Sequence, residues 1–422
     1  MSAHTRRAAC RACGTPFDAP FLALGPMPLA NNLPRSPEEL AAQARYPLDV
    51  CVCRTCSLVQ TPDVIDPRVL FAHYVYLTGM SETMRVHNRA YAAHVVGLTG
   101  AGAGDLVVDI ASNDGSLLLE FQPHGVRTLG IEPAANVADI ARGRGVDTVT
   151  RFFDDTAGRD LRDEHGPAAA VLANNVLAHV DDPVGFLRGA GRLIGPRGLV
   201  VIEAPYVAEM LDRLEYDTIY HEHLSYFSIG ALARLADEAG LVLVRVDHVP
   251  IHGGSLRAHF GHPAAWAGHG TTVSDAVARE RAQGLADVGR YARFAEAVHA
   301  HRQALRALVG DLAAAGHVVA GYGAPAKATT LLNFCGLGPE AIAFTVDRNP
   351  LKVGAFVPGV GVPILDVDAL ASRRPDYALI FPWNLAAEIA AQQQAYREQG
   401  GQFLLPLPEP RPLAIAAEGR AQ

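Results

Sequence analysis

Val107-VDIASNDGSL-Leu118 decides how the chain is read. An apolar run of strand length meets a short polar loop, and leucines reappear at once at helical spacing. That is a strand, a tight turn and a helix, the first half of a βαβ unit. Backbone N–H groups at such a helix start can approach a ligand. Gly115 allows close approach and Asn113 tolerates a left-handed backbone. Glu132 ends the next apolar run, Thr128-LGIEP, where nucleotide-binding βαβ units carry their ribose-binding acid. No GxGxxG is present. An acid followed by a small, Asn- and Gly-containing loop fits a methyl donor, a dinucleotide or a plain turn equally well.

Outward from this point the alternation continues. Ala169-AVLANNV-Leu177 and Gly198-LVVIEAP-Tyr206 are further strands, and Leu241–Pro250 with Ser255–Gly261 reads as an antiparallel edge hairpin. Asn174, Asn175 and His179 follow the fourth strand beside the same cleft. Thr272–Leu312 is amphipathic and reads as one long connecting helix. A second, shorter alternation begins at His317-VVAGYGA. The expected class is α/β: an N-terminal zinc-binding module, a central doubly wound, Rossmann-like domain and a second Rossmann-like domain at the C-terminus. The expected boundaries are 1–70, 71–250, 251–312 for the connecting strands and helix, 313–410, and a tail at 411–422.

At 422 residues, 49% hydrophobic and 19% charged, the chain is long enough for two or three folded domains. A net charge of −8 argues against nucleic-acid binding. No apolar run is long enough to span a bilayer, and the N-terminus carries no apolar leader, so no membrane partner and a cytoplasmic location are expected. Monomer is a plausible state, and the sequence does not set it.

Cys10-Arg-Ala-Cys13 and Cys53-Arg-Thr-Cys56 form two CxxC knuckles. This spacing lets four sulfurs converge on one tetrahedral ion. Four thiolates leave no open coordination position, so the zinc is structural. Cys51 is surplus to the set.

Tyr216–Ser228, YDTIYHEHLSYFS, packs three tyrosines, two histidines and two acids just past a strand end. Imidazoles, carboxylates and phenols so crowded are what proton transfer needs. Further on, Gly321-Tyr322-Gly323-Ala-Pro-Ala-Lys327 opens a helix ending near Asn333. Its glycines allow contact with a phosphate and Lys327 adds a charge, while Asp347 ends the next strand where a ribose-binding acid would sit. His252, Gly253, Ser255 and Arg257 lie between the two alternations and could meet a diphosphate or a sugar hydroxyl.

Taken in order, CxxC…CxxC, DIASNDGSLL, LGIEP, LANNVLAHVDDP, YDTIYHEHLSYFS, HGGSLR and GYGAPAKATTLLN resemble the sugar C-methyltransferases over nearly the whole chain. The resemblance implies an S-adenosylmethionine-dependent enzyme that methylates a ring carbon, most often C-3, of a dTDP-4-keto-deoxysugar in antibiotic deoxysugar biosynthesis. It implies a donor site at Asp109, Ala111, Asn113, Asp114, Gly115, Glu132, Asn174 and Asn175. Ala111 departs from the family pattern, which has Gly there. His223 matches the catalytic base; Glu222 and His221 would orient it or hold the sugar, Tyr220 and Tyr76 would serve the keto oxygen, and His179 is a further candidate. The C-terminal loop would then hold the sugar nucleotide. Two other classes remain: an NAD(P)-linked sugar-nucleotide oxidoreductase or epimerase, and a zinc-stabilised binding protein with relic loops.

Overall fold

The computed structural model describes residues 3–71, 82–251, 253–266 and 271–414. The chain forms two compact units. The first comprises Met1–Phe21, Val50–Ala208 and Glu222–Arg290; the second comprises Leu22–Asp49, Glu209–His221 and Tyr291–Gln422. Among the described residues no helix is long and apolar enough to cross a membrane.

The first unit is built on helix α1 (Glu82–Thr99) and a seven-stranded sheet. Its elements follow as β1 (Leu106–Ile110), α2 (Ser116–Leu119), β2 (Arg127–Ile131), α3 (Ala135–Gly143), β3 (Thr148–Val149) and α4 (Asp155–His165). Then come β4 (Ala168–Asn174), α5 (Pro183–Leu193), β5 (Ile194–Pro205), α6 (Ile229–Ala239), β6 (Val242–Val249), β7 (Ser255–Gly261) and α7 (Thr271–Ala282). The order across the sheet is β6-β7-β5-β4-β1-β2-β3. β5, β4, β1, β2 and β3 run parallel, while β7 pairs antiparallel with both β5 and β6. All five residues of β1 are buried, as a strand covered on both faces requires. Val107, Leu117, Leu118, Phe121, Leu172 and Val201 form the core beside it. Burying a side chain of this size stabilises by roughly 1.5–3 kcal/mol.

Topology places the site. From β1 the chain winds through β2 to β3, then crosses back to β4 on the other side of β1. The carboxyl ends of β1 and β4 therefore flank a switch point, where open α/β sheets bind ligands.

The helix expected over 272–312 is broken. Gly284 at φ +81° ends the segment containing α7, and the Asp287 carboxylate accepts the Gly289 N–H (2.9 Å) to start α8 (Val288–Ala314). The amphipathic pattern runs through both pieces, so the break rests on Gly284.

The second unit continues with β8 (Val319–Tyr322), α9 (Ala326–Cys335), β9 (Thr345–Val346), β10 (Ile364–Leu365), α10 (Asp368–Arg373), β11 (Tyr377–Ile380), β12 (Gln402–Leu405) and β13 (Arg411–Pro412). These strands are ordered β10-β9-β8-β11-β12-β13, parallel except for β13. A second switch point lies between β8 and β11, around a core of Ala320, Phe344, Val346, Ile380 and Phe403.

Candidate active site and zinc cluster

The sulfurs of Cys10, Cys13, Cys53 and Cys56 lie within 4.8 Å of one another. Cys10–Cys56 and Cys13–Cys53 are 3.6 and 3.5 Å apart, close to the ~3.8 Å edge of a tetrahedron with zinc–sulfur bonds of about 2.3 Å. The Ala12 N–H and the Gln60 amide donate to Cys10 Sγ (3.4 and 3.1 Å), as second partners of a metal thiolate do. The four residues fit zinc. Cys51 stands outside the cluster.

From this cluster the structure leads to the histidines. Arg11, between the two cysteines of the first knuckle, is buried. Its Nη1 donates to the carbonyls of Thr61 (2.7 Å) and Leu224 (3.3 Å), and its Nε to Asp181 (3.1 Å). Thr61 N–H donates to the same Leu224 carbonyl (3.1 Å), and Leu224 N–H donates to the Ala178 carbonyl (2.7 Å). Ser225–Tyr226 pairs antiparallel with Val59–Gln60, which pairs in turn with Cys51 and Val52. His223 and His179 are thus carried on one hydrogen-bonded scaffold with the second knuckle.

Their rings meet at 4.9 Å, inclined at 68°. Phe71 stacks edge-on against His179 at 5.5 Å, and Tyr226 lies 6.2 Å from His223. Burial pushes His179 down to about 4, against partial compensation by the backbones of Glu222 and Asn175, so the ring stays neutral at working pH. Its Nδ1 is buried without a hydrogen-bond partner. Glu222 is buried in the same unit. His221 belongs to the second unit, with Nε2 on the Pro47 carbonyl (3.1 Å) and its ring 6.0 Å from Tyr46. Tyr220 also lies in the second unit and is half-buried. Tyr76 and His252 lie outside the described residues.

At the first switch point, Ala111, Asn113 and Gly115 have φ of +55°, +50° and +76°. A Cβ on Gly115 would come within 2.9 Å of Val146 Cγ2. The positive φ of Ala111 explains why glycine suits that position. Glu132 spans the loop, accepting from the N–H groups of Asn113 (3.0 Å) and Ala134 (2.8 Å). Burial raises Asp109 well above its ordinary value, helped by the nearby Glu132 charge. Asp114 pairs with Arg144 (2.8 Å) and caps Ser116. Asn175 has φ +54°, and its N–H donates to the Glu203 carbonyl (2.8 Å). Asn174 Oδ1 is buried without a partner. A left-handed loop of N–H groups, a strand-end acid and an unsatisfied amide oxygen fit a nucleoside-type methyl donor.

Arg257 is placed otherwise than expected. It is neither solvent-facing nor open to a diphosphate: its Nε and Nη2 hold Glu203 at 2.6 and 2.5 Å, and its guanidinium lies 4.2 Å from the Tyr91 ring. His87 donates to the other Glu203 oxygen (2.9 Å). Both faces of β7 are buried, which alternation alone did not show. Ser255 donates to the Ile251 carbonyl (3.1 Å), next to Gly253 at φ +93°.

In the second unit the glycine loop is tightly filled. A Cβ on Gly321 would strike the Phe381 ring, and one on Gly323 would strike Pro382. Asp347 accepts the Ala324 N–H (2.7 Å), and Lys352 donates to the Ala324 carbonyl (2.8 Å). The Asn333 amide serves the carbonyls of Thr329 and Pro358. Tyr322 is a buried core ring. Lys327 Nζ lies 4.1 Å from the centre of the Trp383 ring, buried without a hydrogen-bond partner. Trp383 Nε1 donates to Asp217 (2.8 Å). Burial pushes Glu215 up to about 7, with Lys327 and Asp217 among its charged neighbours. Sequence reasoning missed this group, because Glu215 and Asp217 stand over a hundred positions from Lys327 in the chain.

A donor loop at a sheet switch point, a neutral histidine against a second imidazole, and an all-thiolate metal cluster define the class: a zinc-containing, S-adenosylmethionine-dependent methyltransferase. Comparison with known proteins narrows it. Three family models match in succession: "Putative zinc binding domain" at residues 10–71, "Methyltransferase domain" at 84–246 and "C-methyltransferase C-terminal domain" at 250–408. C-methyltransferase NovU from Streptomyces niveus is 40% identical over 411 residues, covering 97% of each chain. Ubiquinone biosynthesis O-methyltransferase from Burkholderia pseudomallei is 26% identical over 35% of this chain and 69% of its own. Among solved structures, the CcbJ methyltransferase from Streptomyces caelestis is 16% identical over 42% of this chain and 89% of that one, with a TM-score of 0.33. The chain belongs to the S-adenosylmethionine-dependent C-methyltransferase family. Membership sets aside the oxidoreductase and the relic-scaffold readings. S-adenosylmethionine is the methyl donor, and the cysteine cluster is a structural zinc site.

Proposed function

We propose that the chain methylates a ring carbon, C-3 above all, of a dTDP-4-keto-deoxysugar, working in the cytoplasm on a small-molecule sugar nucleotide. The observation that carries this is the contact of His223 with a His179 held neutral. A saturated sugar carbon is no nucleophile until a proton next to a ketone is removed, which calls for a base in a sheltered site. His223 takes the C-3 proton, and the electron pair moves onto the 4-keto oxygen as an enolate. The neutral His179 cannot supply a competing positive charge that would repel the imidazolium forming on His223. Within the first unit, Glu222 and Tyr76 hold the sugar and its keto oxygen. When bound, S-adenosylmethionine would supply an electrophilic methyl to the enolate carbon, its S–CH3 bond breaking and S-adenosylhomocysteine leaving while the 4-keto group re-forms. Asp109 to Gly115, Glu132, Asn174 and Asn175 hold that donor at the switch point. In the second unit, the Gly321–Lys327 loop with Asp347 has the form of a nucleotide-binding turn.

The test is a panel of dTDP-4-keto-deoxysugars incubated with S-adenosylmethionine, with products read by mass and NMR. A new methyl on the carbon next to the ketone is expected. A methyl on oxygen or nitrogen, or turnover of sugars lacking the ketone, would overturn the reading.

A further inference from the structure

Away from the donor loop and the cysteine cluster, His94 on α1, Asp247 on β6 and His259 on β7 bring three ligand-type atoms together. We propose that they form a second binding site for a zinc-class divalent cation, clasping α1 to the edge hairpin of the methyltransferase sheet.

The geometry carries this. His94 Nε2 lies 3.3 Å from His259 Nε2 and 3.5 Å from Asp247 Oδ2. A tetrahedral ion with bonds of about 2.0–2.1 Å sets its ligands roughly 3.3 Å apart, so these separations are ligand edges. His259 Nδ1 is 3.3 Å from the Arg245 carbonyl and can only donate to it. That bond fixes the tautomer and turns the Nε2 lone pair toward His94, the outer-shell arrangement of metal-bound histidines. Without an ion, the single proton of a neutral His94 Nε2 faces both the His259 Nε2 lone pair and Asp247 Oδ2, which also accepts from Arg245 Nε (2.9 Å). One cation would take a lone pair from each of the three groups together.

Electrostatics agree. Burial lowers both imidazoles from their ordinary value, the direction that favours ligation, with His259 pushed down to about 4. The neighbouring positive charges are each matched, Arg257 by Glu203 (2.6 Å) and Arg245 by both oxygens of Asp247 (2.7 Å to Oδ1 and 2.9 Å to Oδ2), so Asp247 would meet the ion through a second lone pair of Oδ2. His259 is 1% exposed, whereas His94 and Asp247 are 27% and 25% exposed, so an ion can enter from solvent and keep a water as its fourth ligand. Only one carboxylate contributes, so this site binds more weakly than the four thiolates and exchanges its metal first.

The experiment is equilibrium dialysis of the full chain against low micromolar zinc, with bound metal counted by plasma mass spectrometry. Wild type is expected to hold two ions per chain and His94→Ala one, with unchanged circular dichroism. Cobalt replacement distinguishes the two sites. His94→Ala should keep the thiolate-to-cobalt charge-transfer band and lose a part of the visible spectrum that has no charge-transfer character. A Cys53→Ser chain should show the reverse. A single ion in wild type, bound wholly by thiolate, would overturn the proposal, as would two ions retained in both His94→Ala and Asp247→Asn.

Discussion

Arg11, set between two zinc-ligating cysteines, donates to the carbonyl of Leu224, the residue after His223, across 213 positions of sequence. The same guanidinium holds Asp181, two residues beyond His179. Arg11 is therefore a positioning residue, reaching both histidines through the backbone beside them. Arg11→Ala leaves the Thr61 carbonyl without its donor, at about 1–3 kcal/mol, and the Leu224 carbonyl with the Thr61 N–H alone. Displacing the His223 loop should cost on the order of 10²-fold in kcat, with the donor's KM unchanged. Arg11→Lys should recover part of kcat by restoring one charged donor. Steady-state kinetics on both variants, with melting curves to exclude unfolding, check this; equal losses in kcat and donor affinity would point to general collapse.

Zinc removal should follow the same line. The metal closes a cluster that carries the His223 scaffold, while the donor loop hangs from β1, β2 and β4. Stripping zinc with a strong chelator should lower the melting temperature and abolish methyl transfer. Calorimetric binding of S-adenosylhomocysteine should persist. Loss of both together would contradict the independence of the donor loop from the cysteine scaffold.

The donor loop offers a paired test of backbone strain. Ala111 sits at φ +55°, where a non-glycine residue costs roughly 1–2 kcal/mol. Ala111→Gly should raise unfolding free energy by roughly 0.5–1 kcal/mol once the added freedom of the unfolded chain is deducted. Gly115→Ala should do the opposite and more strongly, because a methyl there also meets Val146. Urea denaturation of the two variants reads both signs.

Glu215 gives a pH dependence with a definite sign. Its carboxyl is raised from 4.5 to about 7 by burial. The folded chain therefore holds a proton that the unfolded chain has released between those values. Stability from this group is full below pH 4.5 and is lost as pH rises through 7, by up to roughly 3 kcal/mol at about 1.4 kcal/mol per pH unit. Glu215→Gln cannot ionise and should gain on wild type from pH 4.5 to about 7 in thermal melts and hold that gain at higher pH. A constant difference across that range would show that Glu215 is ionised in the folded state.

Much of the fold was legible because it is local. The run from Val107 to Leu118 announces strand, loop and helix within twelve residues, and the CxxC spacing announces its cluster. What escaped was set by distant partners or by orientation. Arg257 reads as a partner for a diphosphate, yet Tyr91 of α1 lies against its guanidinium and Glu203 takes the charge. The HEH run reads as one cluster, but His221 turns to Pro47 while His223 meets His179. Gly284 interrupts a helical pattern that its neighbours continue. Asp247 and His259, 153 and 165 positions after His94, come within its reach only after a hairpin folds back on α1.

The central claim is that His223 removes the proton next to the sugar's ketone. The direct measurement is NMR of a dTDP-4-keto-deoxysugar in D2O with enzyme and S-adenosylhomocysteine, which leaves deprotonation possible and methyl transfer impossible. Wild type should exchange the C-3 hydrogen for deuterium, and His223→Ala, folded and binding the donor analogue normally, should not. Exchange by His223→Ala at the wild-type rate would contradict the account and move the base elsewhere.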